Sequence, residues 1–173
     1  MFRQYAPGAH TAICRNELNC LLASRLESVP AINRSALVPY SAQAMFALVA
    51  DVESYPEFLP WCGSAHSESL TEDEDHATVE IAKAGIRKSF TTRNLLDRGR
   101  SIKMHLVEGP FRRLEGIWCF EALDKSACKV SLSLEFEFSN RLVEATLGRA
   151  FSEIANTLVD AFCKRAVQVY GKA

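Results

Sequence analysis

The sequence predicts an α+β domain in which a one-sided antiparallel sheet packs against a single long C-terminal helix. Residues 130–138, VSLSLEFEF, alternate apolar and polar side chains, which is typical of a strand with one buried and one wet face. After Ser139-Asn140 the apolar residues recur every three or four positions, which predicts a helix from Arg141 to Val169. The residues of this apolar stripe are Leu147, Phe151, Ile154, Leu158 and Phe162. Because a one-sided sheet must cover its apolar face, we expect this helix to lie against it.

The elements before that helix are predicted from turn signals and strand alternation. Residues 31–39 are predicted to form a strand, and Ser41 is the predicted N-cap of a helix that runs to Ala50. About six antiparallel strands are predicted before the long helix. The first five of them are expected at residues 63–71, 77–84, 86–96, 102–106 and 114–120.

The segment DVESYPEFLPWC, residues 51–62, joins the first helix to the second strand and is unusually apolar for a connection. Pro56 and Pro60 disfavour a regular continuation of the preceding helix, because proline lacks a backbone donor and crowds the preceding turn. A sheet curved around one helix can leave a cavity at one end. We therefore expect the apolar side chains of this segment to form a gate over an apolar cavity. The alternative interpretation is a plug that closes the core and binds no ligand.

Residues 1–30 carry neither strand alternation nor a clear helical stripe. We interpret them as an N-terminal extension that is disordered or that lies upstream of the true start of the protein. A chain of 173 residues favours one domain, and residues 31–171 are predicted to form it.

Charge is distributed unevenly along a chain whose net charge is only −1. Between Lys83 and Arg113 there are nine basic residues and two acidic ones, and the predicted acidic turn Glu72–Asp75 lies just before them. Such a basic stretch can mark an anionic partner such as RNA or a lipid surface, although solvated strand faces would have the same composition. The candidate surface residues are Arg87, Lys88, Arg93, Lys103, Arg112 and Arg113.

Residues for catalysis or metal binding are sparse. His66 lies near the predicted gate without an evident carboxylate partner, and the other histidines lie in the extension, the acidic turn or an outward strand position. None of the six cysteines forms a C-x-x-C pair or has a histidine at metal-ligand spacing. The chain also contains no apolar run of 18 residues, so no membrane span is predicted. We therefore expect no catalytic residue, no metal and a binding function rather than an enzymatic one.

Three segments and the terminal helix resemble a known family. LVPYSAQAMFALVADVESYPEFLPWC, KAGIRKSFTTRN and EGPFRRLEGIWCFE are similar to the coenzyme Q-binding START-type family of the polyketide cyclase/dehydrase and lipid transport superfamily. The resemblance covers about residues 31–171 and is strongest to a bacterial branch of ribosome association toxins. It implies a helix-grip, START/Bet v 1-like fold: a bent antiparallel sheet wrapped around a long C-terminal helix, with an apolar cavity inside.

The resemblance implies several functions. We take as the main expectation the non-catalytic binding of a polyprenyl quinone, ubiquinone, in support of respiration, with no required cofactor beyond that lipid ligand. The alternative is a type II toxin of a toxin–antitoxin pair that binds the large ribosomal subunit and blocks subunit association. A cyclase-like enzyme is the third. The implied partners are the quinone or another polyprenyl lipid, the large ribosomal subunit, a peripheral membrane surface and a small antitoxin.

The implied location is the bacterial cytoplasm or the periphery of the inner membrane, with the matrix side of the mitochondrial inner membrane as the alternative.

A polyprenyl tail would gain about 0.8 kcal/mol for each CH₂ that it buries. The expected ligand contacts are Tyr55, Phe58, Leu59, Trp61, Phe90, Leu106, Phe111, Trp118, Phe136, Leu147 and Phe151.

Overall fold

The computed structural model describes residues 31–172, and within that range seven strands form one antiparallel sheet. Neighbouring strands pair in the order β1-β7-β6-β5-β4-β3-β2, so only the pair of β1 with β7 joins strands distant in sequence. The strands are β1 Ala31–Val38, β2 Cys62–Thr71, β3 Glu74–Lys83, β4 Ile86–Asp97, β5 Ser101–Glu108, β6 Phe111–Ala122 and β7 Cys128–Phe138. The predicted number of strands between the short helices and the long helix is confirmed.

Three helices and one 3₁₀ turn complete the described chain. Helix α1, Ala42–Ala50, begins where predicted, since the Ser41 hydroxyl accepts a hydrogen bond from the Ala44 amide. The 3₁₀ turn Val52–Ser54 and the four-residue helix α2, Tyr55–Phe58, follow, and a proline lies in the first turn of α2. Helix α3, Arg141–Tyr170, is capped by the Asn140 side chain, which accepts from the Val143 amide.

The core lies between α3 and one face of the sheet. The buried stripe of α3 comprises Leu147, Phe151, Ile154, Ala155, Val159, Phe162 and Ala166. The Phe162 ring is fully buried and lies edge-on to Trp118 of β6, with centroids 5.3 Å apart. The long helix therefore covers the apolar face that the alternation of β7 predicts, and the α+β helix-grip architecture is confirmed.

Gly116 of β6 leaves space on the face of the sheet that packs against α3. Its strand neighbours on that face are Met104 and Leu134. A Cβ at position 116 would come within 2.6 Å of the Met104 Cε and 2.9 Å of the Leu134 Cδ1. A larger residue here would have to displace the ends of both side chains, which line the cavity described below.

The prediction of an acidic turn at Glu72–Asp75 is correct for the first two residues and wrong for the last two. Only Glu72 and Asp73 form the turn, while Glu74 and Asp75 belong to β3, which begins three residues earlier than expected. The physical reason is that both acidic side chains find partners across the sheet: the Arg93 Nε lies 2.6 Å from the Glu74 Oε1, and Asn94 donates to Asp75. The extension predicted for residues 1–30 lies outside the described residues.

Candidate functional site

A cavity of about 100 Å³ lies between the sheet and α3, near the end of α1. Its wall is mostly apolar and includes side chains from α1, the 3₁₀ turn, strands β3 to β7 and α3. The aromatic lining residues are Tyr55, Trp61, Phe90, Trp118 and Phe151. An apolar pocket of this kind suits an apolar ligand, but it is smaller than the roughly 300–1,000 Å³ of pockets that enclose drug-sized molecules.

These five aromatic residues are also the members of the predicted ligand-contact set that line the cavity. The other six of that set, which lie elsewhere, are Phe58, Leu59, Leu106, Phe111, Phe136 and Leu147. Ligand contact itself stays a prediction for the five lining residues.

Leu59 does not form part of a gate, because it has no exposed surface. It packs in a small secondary core with Val52, Cys62, Ala77 and Val79. This placement corresponds to the plug interpretation of the segment rather than to the gate.

Phe58 lies outside the cavity wall as well. Its ring packs edge-on against Phe162, with centroids 5.2 Å apart, and the Arg165 guanidinium lies 5.1 Å from its centroid. Arg165 also forms an ion pair with Glu57, so α2 contacts the last third of α3 through this pair and the Phe58 ring. The proline-broken segment thus closes the core with some side chains and lines the cavity with Tyr55 and Trp61.

An aromatic cluster in the core borders the cavity at Phe151. Phe111 and Phe136 each lie 4.8 Å, centroid to centroid, from Phe151. Leu147 is buried nearby in the same core, and Leu106 packs partly buried against it. Of these residues, Phe151 is the one that lines the cavity.

Three buried polar side chains interrupt the apolar wall, and sequence reasoning missed all of them. Asp75, Thr92 and Asn94 line the cavity and are each less than 9% exposed. The Thr92 hydroxyl lies 2.9 Å from the Asn94 Oδ1, and the Asn94 Nδ2 donates to the Asp75 Oδ1 at 2.9 Å. Burial raises the pKa of the Asp75 carboxyl, and the hydrogen bond from Asn94 opposes that rise.

Strand periodicity could have found this cluster. Counting back in steps of two from the buried Ile81 and Val79 places Asp75 on the same face of β3. Thr92 and Asn94 are likewise in phase with Phe90 on β4. The strand alternation was not recognised at residues 72–75, because their acidic composition suggested a solvated turn.

The Tyr55 hydroxyl makes a structural hydrogen bond to the backbone. It donates to the Val49 carbonyl oxygen at 2.6 Å and thereby ties α2 to the end of α1. Burial and then the nearby Asp75 raise the pKa of this phenol, so Tyr55 stays protonated at neutral pH.

His66 has a carboxylate partner that the sequence did not reveal. Its Nδ1 lies 3.1 Å from the Glu53 Oε1, which corrects the expectation of no partner. Both side chains are largely exposed and neither lines the cavity, so the pair is a surface contact. Among residues 31–172 no group of three His, Cys, Asp or Glu side chains could hold a metal ion.

The predicted cationic surface is largely paired with glutamates. The exposed Arg87 and Arg112 lie 2.6 Å and 3.2 Å from carboxylates of Glu80 and Glu137, and Arg93 pairs with Glu74 as described above. Lys88 is exposed, and Lys103 is half-buried on β5.

Arg113 is not the exposed surface residue that the sequence predicts. Its side chain is only 16% exposed, and its Nη2 lies 2.7 Å from Glu115 and 3.0 Å from Glu135. The hydrogen bond with Glu115 raises the pKa of its guanidinium. The irregular register between Phe111 and Arg113 brings it into the β6–β7 pairing, beside carboxylates on the same face of the sheet. Arg113 is therefore a structural cation.

Comparison with known proteins supports the family resemblance. Residues 38–163 match the polyketide cyclase / dehydrase and lipid transport family. The chain is 51% identical over 140 residues to the ribosome association toxin RatA of Pseudomonas aeruginosa, a match that covers 81% of this chain and 97% of that protein. It is 49% identical over 142 residues to RatA of Escherichia coli K12, covering 82% and 90%. The coenzyme Q-binding protein COQ10 homolog B of Xenopus laevis is only 24% identical, with 81% and 59% covered.

Solved structures resemble the chain in fold. The 18 kDa protein CC1736 from Caulobacter crescentus aligns with a TM-score of 0.64 and 29% identity, covering 83% of this chain and 99% of that one. A START superfamily protein from Mycobacterium smegmatis aligns with a TM-score of 0.68 at 18% identity, covering 80% and 98%, which shows a shared fold alone.

The main functional expectation, ubiquinone binding in support of respiration, is wrong. The relatives of about 50% identity are named as ribosome association toxins, whereas a relative named for coenzyme Q is far more distant. The alternative, association with the ribosome, is the better supported one. None of the helices in the described part of the chain is long and apolar enough to cross a membrane.

Proposed function

The chain belongs to the polyketide cyclase / dehydrase and lipid transport family, and we propose that within it the protein is a ribosome-associating toxin. In this proposal it binds the large ribosomal subunit and blocks its association with the small one. The observation that carries the proposal is the identity of about 50% to RatA proteins over four fifths of this chain.

The chemistry of the cavity favours a binding role over an enzymatic one. A general acid–base mechanism needs a titratable group within hydrogen-bond reach of a reacting atom, usually beside a second group that tunes it. Asp75 is the acidic residue in the cavity wall, and its hydrogen-bond partner is the amide of Asn94. The Tyr55 hydroxyl is held by a backbone carbonyl.

Ribosomal RNA presents phosphates, so the proposed contact surface is the cationic end of the molecule. The β3–β4, β5–β6 and β7–α3 connections all lie at the same end of this antiparallel sheet. Around them are the cationic residues Lys83, Arg87, Lys88, Arg112, Arg141 and Arg149. Arg112, Arg141 and Arg149 line one groove together with Glu137 and Glu144.

The glutamates at this end do not prevent such binding. Arg112 pairs with Glu137, and Arg149 pairs with Glu153, but these side chains are all at least 44% exposed. Exposed ion pairs contribute only about 0–1 kcal/mol to stability, so phosphates can replace the carboxylates at little cost. Arginine also suits phosphate geometrically, because its planar guanidinium can donate two parallel hydrogen bonds.

The proposal is tested by mixing purified protein with separated ribosomal subunits and sedimenting the mixture through sucrose gradients under conditions that favour joining. We expect the protein to comigrate with the large subunit and the joined particle to decrease. Full joining of the subunits at saturating protein would overturn the proposal.

A charge-reversal variant tests the surface separately. Lys88→Glu with Arg112→Glu and Arg141→Glu should weaken comigration and lower the slope of log affinity against log salt by about 2–3 units, since each lost phosphate contact removes nearly one unit. The matched control reverses the exposed Arg100, Lys125 and Lys129, which lie at or next to connections at the opposite end of the sheet. Equal weakening by both variants would move the contact surface elsewhere.

A further inference from the structure

We propose that the interior cavity is a binding site for a compact organic amine, whose ammonium group donates to the Asp75 carboxylate while its apolar body lies among the aromatic side chains. This inference is independent of ribosome association. It concerns the interior of the domain, whereas the proposed ribosome contact lies on the surface.

The first support is the fixed orientation of the polar cluster. Asn94 is directly opposite Asp75 in the pairing of β3 with β4. An ionised Asp75 carboxylate can only accept, so the Asn94 Nδ2 faces it and the Asn94 Oδ1 accepts from the Thr92 hydroxyl. The three side chains therefore form a chain of hydrogen bonds that ends on a carboxylate at the cavity wall.

The second support is the incomplete pairing of that carboxylate. A carboxylate can accept about four hydrogen bonds, and among the described residues Asp75 accepts one, at Oδ1. The ion pairs seen among the described residues do not include Asp75. A buried carboxylate without a cation is costly. A ligand that brings a positively charged hydrogen-bond donor would offset this cost.

The core alone does not require this arrangement. The same face of β3 carries Ala77, Val79 and Ile81, which are buried and apolar. An apolar side chain at position 75 would continue that row, and replacing buried charged groups by apolar ones is often neutral or stabilising. A costly charged group in a cavity wall is the pattern expected of a ligand site.

The aromatic lining and the volume of the cavity limit the apolar part of the ligand. Tyr55, Trp61, Phe90 and Trp118 supply aromatic surface, which attracts cations as well as apolar groups. A cavity of about 100 Å³ is of the same order as engineered apolar cavities of about 150 Å³ that take up benzene. The site therefore fits a single small ring or a short branched alkyl group, not a polyprenyl chain.

Three isosteric probes test the charge requirement on the full chain. Benzylamine carries a cationic donor, benzyl alcohol a neutral donor, and ethylbenzene none. We expect calorimetric titration at neutral pH to give at least tenfold tighter binding of benzylamine than of ethylbenzene, with benzyl alcohol between them. Equal binding of the three probes, tightest binding of a neutral probe, or no binding at all would overturn the proposal.

Asp75→Asn removes the carboxylate and keeps the shape of the side chain. It should abolish the preference for benzylamine, whereas Asp73→Asn makes the same change in the exposed turn two residues away and should retain it. Unchanged benzylamine affinity in folded Asp75→Asn protein would contradict the assignment.

A measurement on the unaltered protein covers the case in which Asp75→Asn does not fold. Amide chemical shifts in NMR spectra should move at Ala77 and Ala155, which line the cavity on β3 and α3, when benzylamine is added. Shifts confined to exposed residues would place the amine on the surface and overturn the proposal.

Discussion

The Asp75 carboxylate and the Asn94 amide are joined by a 2.9 Å hydrogen bond between directly paired residues of β3 and β4, inside the core. The carboxylate gains one donor there but loses its hydration. Burial is the larger of these two influences, so the pKa of Asp75 lies above its ordinary value of 3.8. This relationship links the proposed amine site to the stability of the domain.

Asp75→Asn should stabilise the ligand-free protein at neutral pH. Because the pKa of Asp75 is raised, the native state binds the proton more tightly than the unfolded state does. The stability contributed by the protonated form is fully present below the unfolded pKa and is lost as the pH rises through the native pKa. In urea unfolding from pH 3 to 8, the free energy of unfolding of the variant should exceed that of wild type by an amount that grows as the pH rises through the native pKa of Asp75. A variant that is less stable than wild type at pH 7 would contradict the expectation.

Leu59→Ala should destabilise the fold because this side chain is core and not gate. Leu59 has no exposed surface, and truncating a buried leucine costs about 2–5 kcal/mol. Chemical denaturation should give a lower midpoint without a change in slope. The matched control is Leu123→Ala, a side chain that is 55% exposed in the β6–β7 turn and should change stability by less than about 0.5 kcal/mol. Equal effects of the two changes would mean that Leu59 is not packed as described.

Arg112→Glu and Arg113→Glu should differ sharply although they are neighbours. Arg113 lies among Glu115 and Glu135 with little exposure, and breaking such a pair leaves uncompensated charge, at a cost of about 3 kcal/mol. Arg112 is 74% exposed, so reversing it should change the free energy of unfolding by about 1 kcal/mol or less. The comparison needs only thermal or urea unfolding of the two single variants. Similar losses in both would refute the structural role given to Arg113.

Cys62 and Cys128 should resist alkylation in the native protein. Burial raises the pKa of both thiols to about 11, so almost no reactive thiolate forms at pH 8. Iodoacetamide labelling followed by peptide mass spectrometry should find these two cysteines unmodified in native protein and modified after unfolding in urea. Labelling of either residue at the same rate in both conditions would contradict their burial.

Local sequence patterns predict most of the architecture. The alternation of residues 130–138 and the three- and four-residue spacing of the α3 stripe follow directly from the geometry of strands and helices. Ser41 likewise marks the start of α1, since its hydroxyl replaces a backbone acceptor that the first helical turn lacks. These features depend only on residues close in the chain, so the sequence alone contains them.

The candidate site depends on which strands pair and in which register. Asp75 belongs to an acidic run that looks like a turn, and the pairing of β3 with β4 extends the strand through it and places it opposite Asn94. Arg113 looks like part of an exposed basic stretch, and only the β6–β7 pairing surrounds it with carboxylates. The sequence by itself determined the elements and the apolar faces of this protein. The tertiary structure decided which polar side chains became buried, because burial depends on contacts between residues that are distant in the chain.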